Sequence, residues 1–320
     1  MSTTTNVLIT GVARGIGLSL LEAYLSRPEH TVIGTVRSTN SPSTASLTAL
    51  PTAPNTRLIL LSIESTFASD YPAAVATLRE QGITHLDLVI ANAGICPDPT
   101  PLVNLDVKDV SNAFVVNTVG PILLFQAVRE LLEKKGPGAK WVSMSTGAAS
   151  LSNLVVHQAH GVAAYGISKG GMNWFTLAVH ASEQWLTAFA VHPGYVTSIT
   201  YPTSHFMPAS QLVQTEMGNK GAQMMGLEEA PNTLEESTSK TIALDQSSRD
   251  DTAIFSAQDC RFIVPDTVQA KRIKVTKFHR DNLDLRAKRN IGDKRLVIGS
   301  LEKDPVTLIT KRPRTVLNRV

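Results

Sequence analysis

The sequence predicts an α/β protein built as a single doubly wound parallel sheet, followed by an irregular basic tail. Strand-like and helix-like segments alternate singly over about the first 192 residues. The strands are continuous apolar runs, such as Leu58-Ile59-Leu60-Leu61, which suits burial on both faces. A Gly-rich turn joins the first strand to the first helix, where such sheets place a ligand.

Residues 7–10 form the first strand, and residues 16–26 carry apolar positions at helical spacing and stop before Pro28. Residues 31–36 form a second strand. A Ser/Thr/Pro-rich connection with Pro42 and Pro51 leads to a third strand at 57–63. Residues 71–81 are helical and end at Gly82, a suitable C-cap. A fourth strand at 86–91 runs into Asn92-Ala93-Gly94. A long helix occupies 107–135, kinked or interrupted at Pro121. Residues 140–144 form a fifth strand, 163–183 a helix and 188–192 a further strand. Single helices between strands require parallel pairing through right-handed crossovers.

Composition narrows the function. The chain has 320 residues, 42% of them hydrophobic and 18% charged, which suits a globular enzyme with a sizeable core. The N-terminus carries no basic n-region, so a secretory signal is not expected. Residues 114–128 come nearest to a membrane span, but Asn117, Gly120, Pro121 and Gln126 interrupt them. Cys96 and Cys260 match no metal or redox spacing, and no His/Cys/Asp cluster has metal-ligand spacing. A reduced, cytoplasmic, metal-free protein is therefore expected, with no membrane partner.

In Thr10-Gly11-Val12-Ala13-Arg14-Gly15-Ile16-Gly17, Gly11 turns the chain off the strand and Gly15 opens the backbone to a pyrophosphate. Gly17 permits close helix–strand packing, and the helix N-terminus favours the anion. An NAD site usually has a carboxylate after the second strand to accept from the ribose 2′-hydroxyl. Here Arg37 stands there, suited to a 2′-phosphate, with Arg14 as a second cation, so NADP(H) is the expected cofactor. Glu64, after the third strand, is a weaker candidate for contact with adenine; a solvated loop residue is the alternative.

Tyr165 and Lys169 lie at i and i+4, on one helical face. The pair alone is weak evidence. Its setting adds weight: it follows a nucleotide loop and a hydroxyl cluster, Ser143-Met144-Ser145-Thr146, at the C-terminal end of the fifth strand.

Together these residues resemble the short-chain dehydrogenase/reductase family. The resemblance rests on TGVARGIG from Thr10, the turn Asn92–Gly94, Asn117, the Ser/Thr cluster, Tyr165 with Lys169, and Pro193-Gly194, and it covers nearly all of residues 6–196. Phe125 to Val128, the run from Tyr165 and Ala190 to Val196 are most similar to a fungal norsolorinic acid ketoreductase-like subgroup related to small carbonyl reductases. The resemblance implies hydride transfer to a ketone or aldehyde, with Tyr165 as proton donor. It gives Lys169 the tyrosinate and the nicotinamide ribose, and Asn117 a relay water. It adds Asn92, Ala93, Gly94, Pro193, Gly194 and Val196 to the cofactor site, with Thr10, Gly11, Arg14, Gly15, Ile16, Gly17, Arg37 and Glu64. Where the family usually has Ser, Thr146 stands before Gly147-Ala148-Ala149; Thr146 is preferred as the carbonyl-polarising hydroxyl, with Ser145 as alternate. His157 and His160 read as loop residues. A homodimer through the two long helices is the assembly expected by analogy.

Residues 1–266 form the cofactor-binding domain in this reading. Within it, residues 197–213 separate Pro193-Gly194-Tyr195-Val196 from Gln214-Thr215-Glu216-Met217-Gly218, where the subgroup runs directly between them. These 17 residues are an anomalous insertion, read as a retained intron, with a genuine lid insertion as the alternative. Residues 1–266 hold 15 basic and 22 acidic side chains, net −7; residues 267–320 hold 15 and 5, net +10. The tail lacks aromatic interleaving, so nucleic acid is not the expected partner. The leading reading is an NADPH-dependent carbonyl reductase. A non-catalytic NADP(H) sensor on the same scaffold, or a nucleic-acid-binding protein with a redox-sensing body, are the competing ones.

Overall fold

A parallel sheet of six strands in the order β3-β2-β1-β4-β5-β6 forms the centre of the computed structural model. The structure describes residues 4–155, 157, 159–194, 212–224 and 226–243. The chain divides at Gln269/Ala270, and every described residue belongs to the first unit. Val196, residues 197–211, the closing strand expected near residue 265 and the tail 267–320 lie outside the described residues.

β1 (Thr5–Thr10) lies between β2 (His30–Val36) and β4 (Leu88–Ala91), with β3 (Arg57–Ser62) outside β2. β5 (Lys140–Met144) and β6 (Thr187–Val191) continue from β4. β1 pairs with both β2 and β4, so the strand order reverses at β1/β4, and the crevice beyond the carboxyl ends of these strands is the expected ligand position.

Alternating side chains put the strands in two cores. Leu8, Ile33, Ile59 and Trp141 point to one face and pack with α3 (Asp70–Glu80) and α5 (Gly120–Lys135). Val7, Ile9, Val32, Ile90 and Phe189 point to the other, against α1 (Gly15–Leu25) with its Leu20, Leu21 and Tyr24. Phe125 meets Trp141 edge to face, ring centres 5.3 Å apart. The continuous apolar strands are thus explained by helices on both faces.

The structure departs from the sequence expectations in three places. The Ser/Thr/Pro connection after β2 contains a helix, α2 (Pro42–Thr48), which Pro42 opens at its first turn, where a missing N–H costs nothing. The long helix divides into α4 (Val107–Phe114) and α5 through a π-helical turn, Val115–Val119. Pro121 has no N–H for the Asn117 carbonyl, so the ordinary ladder fails one turn before the proline rather than at it. From Val107 to Lys135 these elements are apolar and long enough to cross a membrane, 29 residues with a mean hydropathy of 1.3 over the best window. Leu124, Phe125, Val128, Leu131 and Leu132 instead lie buried in the sheet's core. The third departure is at the end of the anomalous insertion, where Leu212 and Val213 belong to the fold; Val213 is 5% exposed and bridges to Asn232.

α6 (Ala163–Ser182) follows β5, and two helices not assigned from the sequence complete the described chain, α7 (Glu216–Met224) and α8 (Leu234–Ala243). A reciprocal capping box opens α8: Thr233 Oγ1 accepts from the Glu236 N–H at 3.1 Å, and Glu236 accepts from the Thr233 N–H at 3.2 Å. α8 packs on α1, where Thr238 Oγ1 donates to Ser19 Oγ at 2.8 Å.

Candidate active site

The Gly loop hangs from β1 by main-chain bonds. Gly11 and Val12 donate to the Thr35 carbonyl of β2, each at 3.1 Å. Thr10 Oγ1 accepts from the N–H groups of Asn92 and Ala93, both at 2.9 Å, which joins the loop to the turn after β4. A Cβ on Gly17 would stand 2.2 Å from the Gly11 carbonyl oxygen, so only glycine lets α1 approach the loop. Gly15 has φ +60°, and a Cβ there would meet nothing nearer than Thr215 Cγ2 at 3.4 Å. Arg14, at the N-cap of α1, makes no side-chain cap, so no side chain of the helix's own cap occupies the first-turn N–H groups. An open glycine below an uncapped helix start fits a dinucleotide pyrophosphate.

Around this loop the expected cofactor residues separate into groups. Arg37 is exposed at the end of β2, where its own carbonyl accepts from Ser62 Oγ at 3.1 Å. Arg14 forms an ion pair with Glu216, the first residue of α7. Glu64 lies in the turn before α3; its N–H donates to Asp70 at 2.9 Å. A small cleft opens beside the turn after β4, lined by Thr10, Thr35, Ile63, Ala93 and Val116. Gly194 sits in the turn after β6, and its carbonyl accepts from Asn232.

At the C-terminal end of β5 the two hydroxyl candidates are treated differently. Ser145 Oγ donates to Asn173 Oδ1 of α6 at 2.6 Å, in a buried position. Thr146 Oγ1 accepts from the Ala148 N–H at 3.2 Å and hydrogen-bonds the Tyr165 hydroxyl. Burial raises the Tyr165 phenol well above its ordinary value, opposed by the Thr146 bond. One turn on, Lys169 is 3% exposed, and its Nζ donates to the Met144 carbonyl at 2.7 Å. Burial without a carboxylate partner lowers it to about 8. A Cβ on Gly94 would stand 3.2 Å from Lys169 Nζ, so the lysine reaches the turn after β4.

Asn117 is fully buried in the π-helical turn. Its Oδ1 accepts from the Ile95 N–H at 2.8 Å, and Nδ2 donates to the Ile95 carbonyl at 2.8 Å and Ser168 Oγ at 2.9 Å. The amide is committed to the protein. Thr118 Oγ1 donates to the Ser168 carbonyl at 2.5 Å, so the π-helical turn is pinned to α6 beside Lys169. Cys96, a free thiol, lies near this centre, where burial pushes it up to about 11. His157 is buried and His160 exposed in the loop before α6, and burial lowers His157.

Sequence reasoning missed Asn173 and Asn232, and it named Thr215 and Glu216 only as part of the subgroup's run Gln214–Gly218, without their contacts to the Gly loop. Asn232 carried a local signal, the Thr233-x-x-Glu236 capping box immediately after it; Asn173 is set by contact between distant elements. Among the described residues no group of His, Cys, Asp and Glu has metal-binding geometry.

With this geometry, residues 5–204 match the short chain dehydrogenase family. The chain belongs to the short-chain dehydrogenase/reductase family. It is 42% identical over 243 residues to a short-chain dehydrogenase of Neurospora crassa, covering 75% of this chain and 89% of that one. It is 35% identical over 248 residues to the norsolorinic acid ketoreductase of Aspergillus parasiticus, covering 77% and 85%. Among solved structures, NADPH-bound carbonyl reductase from chicken fatty liver superimposes with a TM-score of 0.63 at 27% identity, covering 78% of this chain and 95% of that one. The family shows the chain to be an oxidoreductase that binds a nicotinamide cofactor.

Proposed function

We propose that the protein is an NADPH-dependent carbonyl reductase acting on a ketone or aldehyde. The observation that carries this reading is the hydroxyl pair of Thr146 and Tyr165, one helical turn from the buried ammonium of Lys169. The ketoreductase and carbonyl reductase relatives support the same reaction class.

The cofactor residues fit NADP(H). Gly11, Gly15, Ile16 and Gly17 would hold the pyrophosphate at the start of α1, and the cleft beside Ile63 and Ala93 the adenine side. Arg37, with Arg14, would take the 2′-phosphate; no carboxylate follows β2. Asn92, Ala93, Gly94, Pro193, Gly194 and Val196 would line the rest. Nicotinamide supplies a hydride to the carbonyl carbon when bound.

Thr146 donates to the carbonyl oxygen and raises the electrophilicity of its carbon. Tyr165 gives its proton to the same oxygen as negative charge develops there. Its raised value keeps it protonated at neutral pH, the state that reduction requires. The charge of Lys169 then stabilises the tyrosinate. Ser145 serves the wall rather than the reaction, because its proton is held by Asn173. The carbonyl of Asn117, rather than its amide, would hold a relay water.

The reading extends to a homodimer through α5 and α6, supported by exposed Ile167, Trp174 and Leu177 on α6. It places the enzyme in the cytoplasm, where a free Cys96 persists. The test is NADPH oxidation against a panel of ketones by the intact chain and by Tyr165→Phe. Carbonyl-dependent turnover lost in Tyr165→Phe is expected. NADPH binding without turnover on any ketone would turn the reading towards a sensor.

A further inference from the structure

The anomalous segment poses a physical problem that the proposed reaction does not address. Gly194 ends the turn after β6, and Thr215 precedes α7, yet residues 195–211 stand between Gly194 and Leu212. Residues 214–224, the lid, nevertheless lie against the Gly loop, where a Cβ on Gly15 would meet Thr215 Cγ2 at 3.4 Å.

Asn232 closes this gap. Its N–H donates to the Leu212 carbonyl at 3.1 Å, and its carbonyl accepts from the Gln214 N–H at 2.8 Å. Its side-chain Nδ2 donates to two carbonyls from opposite ends of the segment, Gly194 at 3.1 Å and Leu212 at 2.7 Å. One amide nitrogen thus uses both of its protons to tie Gly194 to Leu212, and the residue is 6% exposed. Aspartate would set a carboxylate against two carbonyl oxygens, and alanine would leave both without this donor.

The surroundings transmit this tie to the lid. Asn219 Oδ1 in α7 accepts from the Ala230 N–H at 2.9 Å, and the Thr215 hydroxyl accepts from the Gly218 N–H at 2.9 Å at the start of α7. On the other side Asn232 runs directly into the capping box of α8, which is docked on α1. The lid, the turn after β6 and the helix under the Gly loop are therefore joined through one side chain.

We propose that Asn232 is a positioning residue for the cofactor site: it splices Gly194 to Leu212 and holds Thr215 and α7 against the Gly loop whatever chain lies between. The cofactor consequence rests on the reading of an NADPH site; the splice itself does not.

The experiment uses the full-length chain with Asn232→Ala and Asn232→Asp. Hydrogen exchange is measured without cofactor, and NADPH affinity by fluorescence between pH 5 and 8. Exchange over 214–224 should accelerate at least about tenfold, with β1 and β4 unchanged. NADPH Kd should rise about tenfold. Asn232→Asp should regain part of its affinity near pH 5, where the protonated carboxyl recovers one donor, while Asn232→Ala does not. A chain lacking 197–211, in which Leu212 and Val213 are kept and follow Val196 directly, should keep both lid protection and affinity within about threefold.

Exchange over 214–224 within twofold of wild type in both variants would overturn the proposal. Equal acceleration in β1 and β4, or failure of both variants to fold, would also overturn it, by making Asn232 a determinant of the whole fold. Loss of lid protection in the shortened chain would overturn the independence from chain length. If the wild type binds no NADPH, the functional reading fails, and exchange in the cofactor-free protein still decides the role of Asn232.

Discussion

The ammonium of Lys169 donates to the main-chain carbonyl of Met144, the last residue of β5, at 2.7 Å. That bond offers a dipole but no counter-charge, so burial prevails and the lysine falls to about 8 from 10.5. Measured as kcat/KM for NADPH, which reports the cofactor-free enzyme, carbonyl reduction should therefore fall as pH rises through about 8, when Lys169 loses its charge. The folded protein also binds fewer protons than the unfolded chain between about 8 and 10.5. Stability from this group is thus fully present above 10.5 and lost as pH falls through about 8. Rate profiles and denaturant titrations of wild type and Lys169→Met check both signs; a stability profile unchanged by Lys169→Met would contradict the assignment.

The two hydroxyls after Met144 should separate in kinetics. Thr146→Ala is expected to lower kcat by about 10²–10³, the usual effect of removing one donor to a developing oxyanion. Thr146→Ser should retain most of the rate. Ser145→Ala should leave kcat within a few-fold and lower stability by about 1 kcal/mol, because it breaks a buried bond to Asn173. The reverse ranking of Ser145 and Thr146 would exchange their roles.

Arg37 is exposed at the end of β2, whereas Arg14 is already paired with Glu216. Arg37→Gln should raise KM for NADPH by about 10- to 100-fold, the scale of one lost charge-assisted bond, with KM for NADH unchanged. Arg14→Gln should cost less, since the phosphate must share that guanidinium with a carboxylate. Equal losses for both cofactors in Arg37→Gln would exclude contact with the 2′-phosphate.

Gly17→Ala tests the seat of the Gly loop. The added methyl would lie 2.2 Å from the Gly11 carbonyl oxygen and 2.5 Å from Asn92 Nδ2. The Gly11 backbone and the Asn92 side chain must move, at about 1–3 kcal/mol of stability. NADPH affinity should fall with it, since the same shift opens the pyrophosphate cradle. Thermal unfolding and cofactor titration measure the two; unchanged affinity would place the pyrophosphate elsewhere.

Trp174 on α6 is 73% exposed, next to Ile167 and Leu177 on the same helix. Trp174→Asp should convert a dimer to monomer in sedimentation while leaving Tyr165, on the opposite side of the helix, in place. A wild-type protein that already sediments as a monomer would end the proposal of pairing through α6.

The alternation of apolar strands with helices, and the glycines after β1, were enough to give the fold class, because strand burial and loop geometry are local demands written residue by residue; the strand order β3-β2-β1-β4-β5-β6 came from the structure. Tyr165 and Lys169 were also legible, since a spacing of four places two side chains on one helical face in any fold. The choice between Ser145 and Thr146 was not. Neighbours in sequence point to opposite sides of a strand end, and only α6, arriving with Asn173 and Tyr165, gives them different partners. The π-helical turn at Asn117 likewise needed both Pro121 and the pull of Ser168 across 50 residues. Asn232 marks the furthest limit of the sequence. Its side chain holds Gly194 and Leu212, and no spacing along the chain encodes a bond whose partners meet only when β6, α7 and α8 have packed.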